Sequence, residues 1–153
     1  MLMDHDENSA DDTLLTFYNF AGNNSDVIIG KYAGGKMYNG TQNLLKNGTD
    51  IKKASATTDH ILTTLARHKV YLLAMLNQYD VRLHDSSYIQ VEVNQVFNMK
   101  AYSFSKKIAI LEDKGCYNWN QREDVGNLGK GSSYTYNETW KYLNILSDIF
   151  NII

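Results

Sequence analysis

The chain has 153 residues, 15 basic and 17 acidic side chains for a net charge of −2, a single cysteine and no proline. That length suits one domain with a real core and is too short for two. The charge balance excludes a global positive field that would recruit nucleic acid, and the lone Cys116 excludes an intramolecular disulfide framework.

The opening residues, MLMDHDENSADD, turn acidic at the fourth position and lack the basic head and apolar run of a secretory signal. Asp4, Asp6, Glu7, Asp11 and Asp12 read as a solvated acidic arm. No apolar stretch approaches the length of a membrane span, so the expected location is cytoplasmic or particle-associated, with no membrane partner. "DDTLLTFYNFAG" predicts a short helix capped by Asp11 or Asp12 and ended by Gly22, with Leu14, Leu15, Phe17 and Tyr18 turned inward.

"DVIIGKYAGGKM", Asp26 to Met37, offers one short strand and then most of a phosphate-cradling loop: Gly30, four residues, Gly35 and Lys36. Such a loop needs glycines so that N–H groups converge on phosphate, a lysine to neutralise it, and a hydroxyl for magnesium. Met37 stands where the hydroxyl belongs, and "YNGT" breaks the chain where a helix should open. The stretch therefore reads first as a flexible connection, with Gly35 and Lys36 kept as anion-binding candidates. Further glycines and the turn signals Asn39-Gly40 and Asn47-Gly48 make residues 1–49 an irregular, glycine-rich N-terminal arm.

From residue 50 the spacing turns helical. Ile51, Ala54, Thr58, Ile61, Leu65, His68, Leu72, Leu76 and Tyr79 follow steps of three and four. "RLHDSS" interrupts. Beyond it, Ile89, Val91 and Val93 alternate as a strand would, but Asn94-Gln95 breaks the alternation. A helical register holds longer, through Ile89, Val93, Phe97, Ala101, Phe104, Ile108 and Leu111, and Lys114-Gly115 supplies the expected C-terminal signal. Helix is the preferred reading, and an α+β fold with strands over 88–111 is the alternative.

Residues 115–135 read as a long loop. Thr135 and Glu138 then form a capping box for a last helix, which has one apolar row at Trp140, Leu143, Leu146, Phe150 and Ile153. A second row runs through Tyr142, Ile145, Ile149 and Ile152. The expected architecture is mainly α: a long helical hairpin over 50–114 packed with the C-terminal helix as a small bundle, in a helical domain 50–153.

No convergent catalytic set emerges. His60 and His68 are eight apart, and no histidine pair has the i, i+4 spacing that shares a metal, so neither metal nor cofactor is expected. "GNLGKGSS" is a second glycine-lysine loop, with Lys130 and Gly131 as anion-binding candidates. The doubly apolar terminal helix and the abundance of tyrosine favour protein contacts through Trp140, Tyr142, Ile145, Ile149 and Ile152, with Trp119 in the loop. The expected function is non-enzymatic: a self-associating structural or assembly subunit of a larger complex, such as a phage or mobile-element particle component. One alternative is a small monomeric interaction module of the inhibitor or immunity type. Another is a nucleotide-binding protein using the Gly30–Lys36 loop with Glu112 or Asp113.

Overall fold

Two apolar runs, Val27-Ile28-Ile29 and Ile108-Ala109-Ile110-Leu111, lie side by side in parallel as the centre of a mixed sheet. The computed structural model describes residues 1, 8–22, 24–34, 48–55, 58–59, 61–63, 68–83 and 90–118. In chain order these form β1 (Asn8–Ser9), α1 (Thr13–Ala21), β2 (Val27–Gly34), a 3-10 turn (Ile61–Thr63), β3 (Lys69–Tyr71), α2 (Leu73–Gln78), α3 (Gln90–Phe104) and β4 (Ile108–Asn118). The strand order is β1-β4-β2-β3. Only β2 and β4 run parallel; β1 pairs with β4, and β3 with β2, antiparallel.

The parallel pair is apolar on both faces because helices cover both. Val27, Ile29, Ile108 and Ile110 point to one side, where Phe97, Ala101 and Tyr102 of α3 and Met75 of α2 complete a core. Ile28, Ala109, Leu111 and Cys116 point to the other, against Phe17 and Phe20 of α1.

This architecture corrects the expected helical bundle. The three- and four-residue spacing from Ile51 to Tyr79 does not fold as one helix. Ile51 instead bridges Ile110 antiparallel, with its N–H 2.9 Å from the Ile110 carbonyl and the return bond at 2.8 Å. Lys69–Tyr71 is strand, and among the described residues of this stretch α-helix is confined to Leu73–Gln78. Ile51, Ala54, Ile61 and Leu76 are apolar because each packs on the sheet core, and unrelated elements doing so in succession imitate a helical period.

The reading of residues 88–114 as helix, and the alternative of strands over 88–111, each misplace the boundary. Gln90–Phe104 is helix, and Ile108–Asn118 is strand. A strand buried on both faces shows no alternation, so "IAIL" carried no period-2 signal to oppose the helical register. Gly115, taken as a helix stop, lies inside β4.

α1 forms with Gly22 left-handed at its C-terminus (φ 49°), as a terminating glycine should be. Its inward face, however, is Thr13, Phe17 and Phe20, while Leu14, Leu15 and Tyr18 are exposed. No helix among the described residues is long and apolar enough to cross a membrane.

Candidate functional site

Ligands of open sheets sit outside the carboxyl ends of parallel strands, which here means the ends of β2 and β4. The two strands pair without interruption from Val27↔Ile108 to Gly30↔Leu111. The register then shifts, so that Lys31 meets Gly115, Tyr32 meets Tyr117 and Gly34 meets Asn118. β4 thereby bulges over residues 112–114, and a mid-strand glycine at 115 is the residue type that eases such a departure. β1 joins antiparallel at the same place, Asn8↔Asn118 and Ser9↔Tyr117. The start of β1 and the ends of β2 and β4 therefore share one edge of the sheet.

Close packing holds this edge from below. A Cβ at Gly30 would lie 2.5 Å from the tip of the Phe17 ring and 3.4 Å from the Cys116 Cβ, so only glycine lets α1 approach β2 here. The Thr13 hydroxyl donates to the Cys116 carbonyl at 2.9 Å, pinning the start of α1 to the bulged half of β4. Opposite Gly30, His68 is fully buried. The Gly30 N–H donates to the His68 carbonyl at 2.9 Å, and His68 Nδ1 lies 2.6 Å from the Gly30 carbonyl. A carbonyl only accepts, so Nδ1 carries the proton. Burial, and then the adjacent Lys69 charge, hold the imidazole well below its usual pKa, against a smaller opposing effect of the Gly30 bond.

Glu112 opens the bulge and is buried. Its Oε2 accepts the Thr49 N–H at 3.1 Å, its own N–H donates to Asp50 Oδ1 at 2.8 Å, and its Oε1 has no hydrogen-bond partner among the described residues. The chain after Gly48 is thus clasped to β4 by two carboxylates, one of which keeps an acceptor oxygen in reserve. Beneath β3, burial drives the Lys69 ammonium well below its usual pKa and raises that of Tyr71, whose hydroxyl donates to Asn98 Oδ1 at 2.6 Å.

Most residues singled out from the sequence fall elsewhere. Gly35, Lys36, Trp119, Lys130, Gly131, Trp140, Tyr142, Ile145, Ile149 and Ile152 lie outside the described residues. Gly30 to Gly34 is strand, so the stretch is neither the flexible connection expected nor a loop cradling phosphate ahead of a helix. Cys116 is buried, and no group of three potential metal ligands gathers among the described residues. What sequence reasoning missed is the bulge; its only trace is a glycine following charged residues inside an apolar run.

No family model matches the chain. It is similar to a poly(ribitol-phosphate) beta-glucosyltransferase of Bacillus spizizenii, 25% identical over 154 residues that cover 100% of this chain and 23% of that protein. Its fold matches S. aureus TarS 1-349 in complex with UDP-GlcNAc, with a TM-score of 0.74 and 24% identity over 95% of this chain and 41% of the other. The UDP complex of the same protein gives 0.70 and 20%, covering 99% and 55%. Another TarS crystal structure gives 0.62 and 26%, covering 78% and 21%. The chain thus spans under a quarter of its curated relative and about half or less of these structures. The relative's likeness to this chain from end to end overturns the expectation of a non-enzymatic particle or virion subunit, and of an inhibitor-type module, because that protein is by name a glucosyltransferase. The expectation of no enzymatic role is overturned by the same likeness.

Proposed function

We propose that this chain is part of a glycosyltransferase that takes a sugar from a uridine diphosphate donor and attaches it to a hydroxyl of a polyol-phosphate chain. One observation carries the reading: 95% of the chain superposes on TarS captured with UDP-GlcNAc. The donor belongs at the shared edge where β2 and β4 end and β1 begins.

The chemistry asks for specific groups there. As the anomeric carbon–oxygen bond to the diphosphate breaks and the bond to the acceptor oxygen forms, the acceptor hydroxyl releases its proton to a base or to water and negative charge collects on the departing UDP. Lys36 follows the end of β2 by two residues and is the nearest lysine in sequence to offset that charge. A divalent cation on a diphosphate needs one or two protein carboxylates besides the phosphate oxygens. Among the described residues no group of three potential metal ligands gathers, and the carboxylate pair Asp50 and Glu112 is engaged in clasping the chain after Gly48 to β4, whereas Asp4 and Asp6 precede β1 by four and two positions. The acidic arm is thereby reinterpreted as a cation ligand set, which would supply charge neutralisation of the leaving group.

Titration calorimetry with UDP in magnesium or manganese tests this. Binding is expected for UDP and UDP-sugars over ADP, and its loss on Asp4→Asn/Asp6→Asn with the fold intact by circular dichroism. No heat at millimolar UDP with either metal would retire the proposal.

A further inference from the structure

The opposite end of the sheet carries a feature that donor binding does not use. Where α3 ends and β4 begins, a cavity of about 310 Å³ opens between α3 and the segment around Ala54 and Ile61. That volume is at the small end of ligand sites. Ile61, Met99 and Ile108 give it apolar walls, and Ser103, Ser105 and Lys106 give it polar ones. Both serine hydroxyls already donate to the helix, Ser103 to the Met99 carbonyl at 2.9 Å and Ser105 to the Ala101 carbonyl at 2.5 Å. Their oxygens are left as acceptors, suited to a hydroxyl-rich molecule.

The rim is basic. Lys106 lines the cavity and is exposed, and Lys53, Lys100 and Lys107 each adjoin a lining residue in sequence. Ala54 is drawn to this place by its N–H bond to the Ile108 carbonyl at 2.7 Å, which brings Lys53 beside the start of β4. Lys52 does not contribute, since its ammonium sits 3.6 Å over the Phe20 ring on the other face. Two carboxylates oppose the rim. Asp26 accepts the Lys106 and Lys107 N–H groups, and Asp59 accepts the Ser55 N–H. Lys106 is thus the cation that lines the cavity, with Lys53, Lys100 and Lys107 following or preceding its lining residues in the chain.

We propose that this cavity and its lysine rim form an anchoring site for the polyol-phosphate acceptor chain, remote from the site of transfer. The inference rests on the glycosyltransferase reading. The carbon chain of one repeat lies along Met99 and Ile61, its hydroxyls donate to Ser103 and Ser105, and its flanking phosphates meet Lys106 and Lys53. β4 has 11 residues, so the anchor and the transfer edge are about 35 Å apart at 3.3 Å per residue. A polymer spans that distance and a monomeric acceptor does not, so the site raises the local concentration of acceptor only for long chains.

Fluorescence anisotropy with labelled ribitol phosphate, a long ribitol-phosphate oligomer and a single-stranded oligonucleotide decides the matter, with UDP binding measured in parallel. The long oligomer is expected to bind the wild-type chain about tenfold or more tightly than the single unit. That advantage should disappear in Lys53→Glu/Lys106→Glu and, independently, in Ser103→Trp, which fills the cavity, while UDP affinity stays unchanged. A length advantage surviving in both variants overturns the anchor. So does an oligonucleotide that binds as tightly and loses as much on substitution, which would mark a nucleic-acid surface instead. UDP binding without any length preference leaves the donor site standing and removes the anchor; length preference without UDP binding does the reverse.

Discussion

The two faces of the sheet are built differently. The α3 face is deep, with Val27, Ile29, Ile108 and Ile110 meeting helix side chains, and it also encloses Lys69 and Asn98 together with the Tyr71 hydroxyl. The α1 face is thin: nine helical residues bury three side chains, and Leu14 and Tyr18 remain 66% and 73% exposed. Depth allows the first face to hold polar groups, provided they bond one another. The second also buries Thr13 and His68, each hydrogen-bonded to the sheet, and depends on close backbone approach at Gly30. The bulged edge of β4 therefore rests on its less cushioned side.

The largest effect should come from removing that approach. Gly30→Ala places a methyl against the buried Phe17 ring, and a loss of about 2 to 3 kcal/mol is expected in denaturant unfolding, within the range for an overpacked core. Adding Phe17→Leu should return part of the loss. If Gly30→Ala costs as little as an exposed substitution, the thin face is more adaptable than its packing implies.

Next in size is the polar stitch of the deep face. Tyr71→Phe keeps the edge-on contact with Phe97, whose ring centroid is 5.1 Å away, and removes only the donor to Asn98. A loss of about 1 kcal/mol is expected from removing this hydrogen bond at a buried acceptor. Thermal unfolding of the Tyr71→Phe variant measures that loss, and a change no larger than that of an exposed substitution would show that the stitch contributes little.

A third test separates charge from packing. The His68 pKa is depressed in the folded chain, so between the folded value and about 6.5 the unfolded chain binds a proton that the folded chain refuses. The His68 contribution to stability is full above about pH 6.5 and falls as the pH drops below it, separately from the contribution of Lys69, which is lost at higher pH as the pH drops below about 10.5. Unfolding midpoints measured from pH 7.5 downward should show that fall, and His68→Gln should flatten it. A slope unchanged in the variant would assign the acid sensitivity to other groups.

How much of this could be read from residues alone depends on the burial of each element. The extent of α1 and its Gly22 terminus were legible because a left-handed glycine stop is local, although Asp12 sits at the N-cap position without the side-chain cap bond expected of it. Its inward face was not legible, because Phe17 and Phe20 are chosen by Gly30 and Leu111 far along the chain. The β4 run Ile108-Ala109-Ile110-Leu111 was mistaken for helix because burial on both faces erases the period-2 signal. The shared edge is invisible in sequence, since Asn8, Gly34 and Asn118 meet only through strand pairing. The acidic residues were seen and read as solvated, and nothing local to them indicates that β1 begins beside the carboxyl ends of the parallel pair.

The smallest expected effect concerns what joins the faces. Lys52 leaves the segment that pairs with β4, reaches the α1 side and places its ammonium over Phe20, 3.4 Å from the Phe20 carbonyl. The group is exposed, so Lys52→Met should cost no more than about 0.5 to 1 kcal/mol. Its consequence is local all the same. Phe20 closes the last turn of α1, and loosening it frees both the helix end and the strand-like segment from Ile51 to Ala54. Hydrogen exchange should therefore quicken at Ile51 and Ala54 while the amides of β2 remain protected. Equal exchange at all of these sites would mean that the pairing with β4, and not the lysine bridge, holds the segment in place.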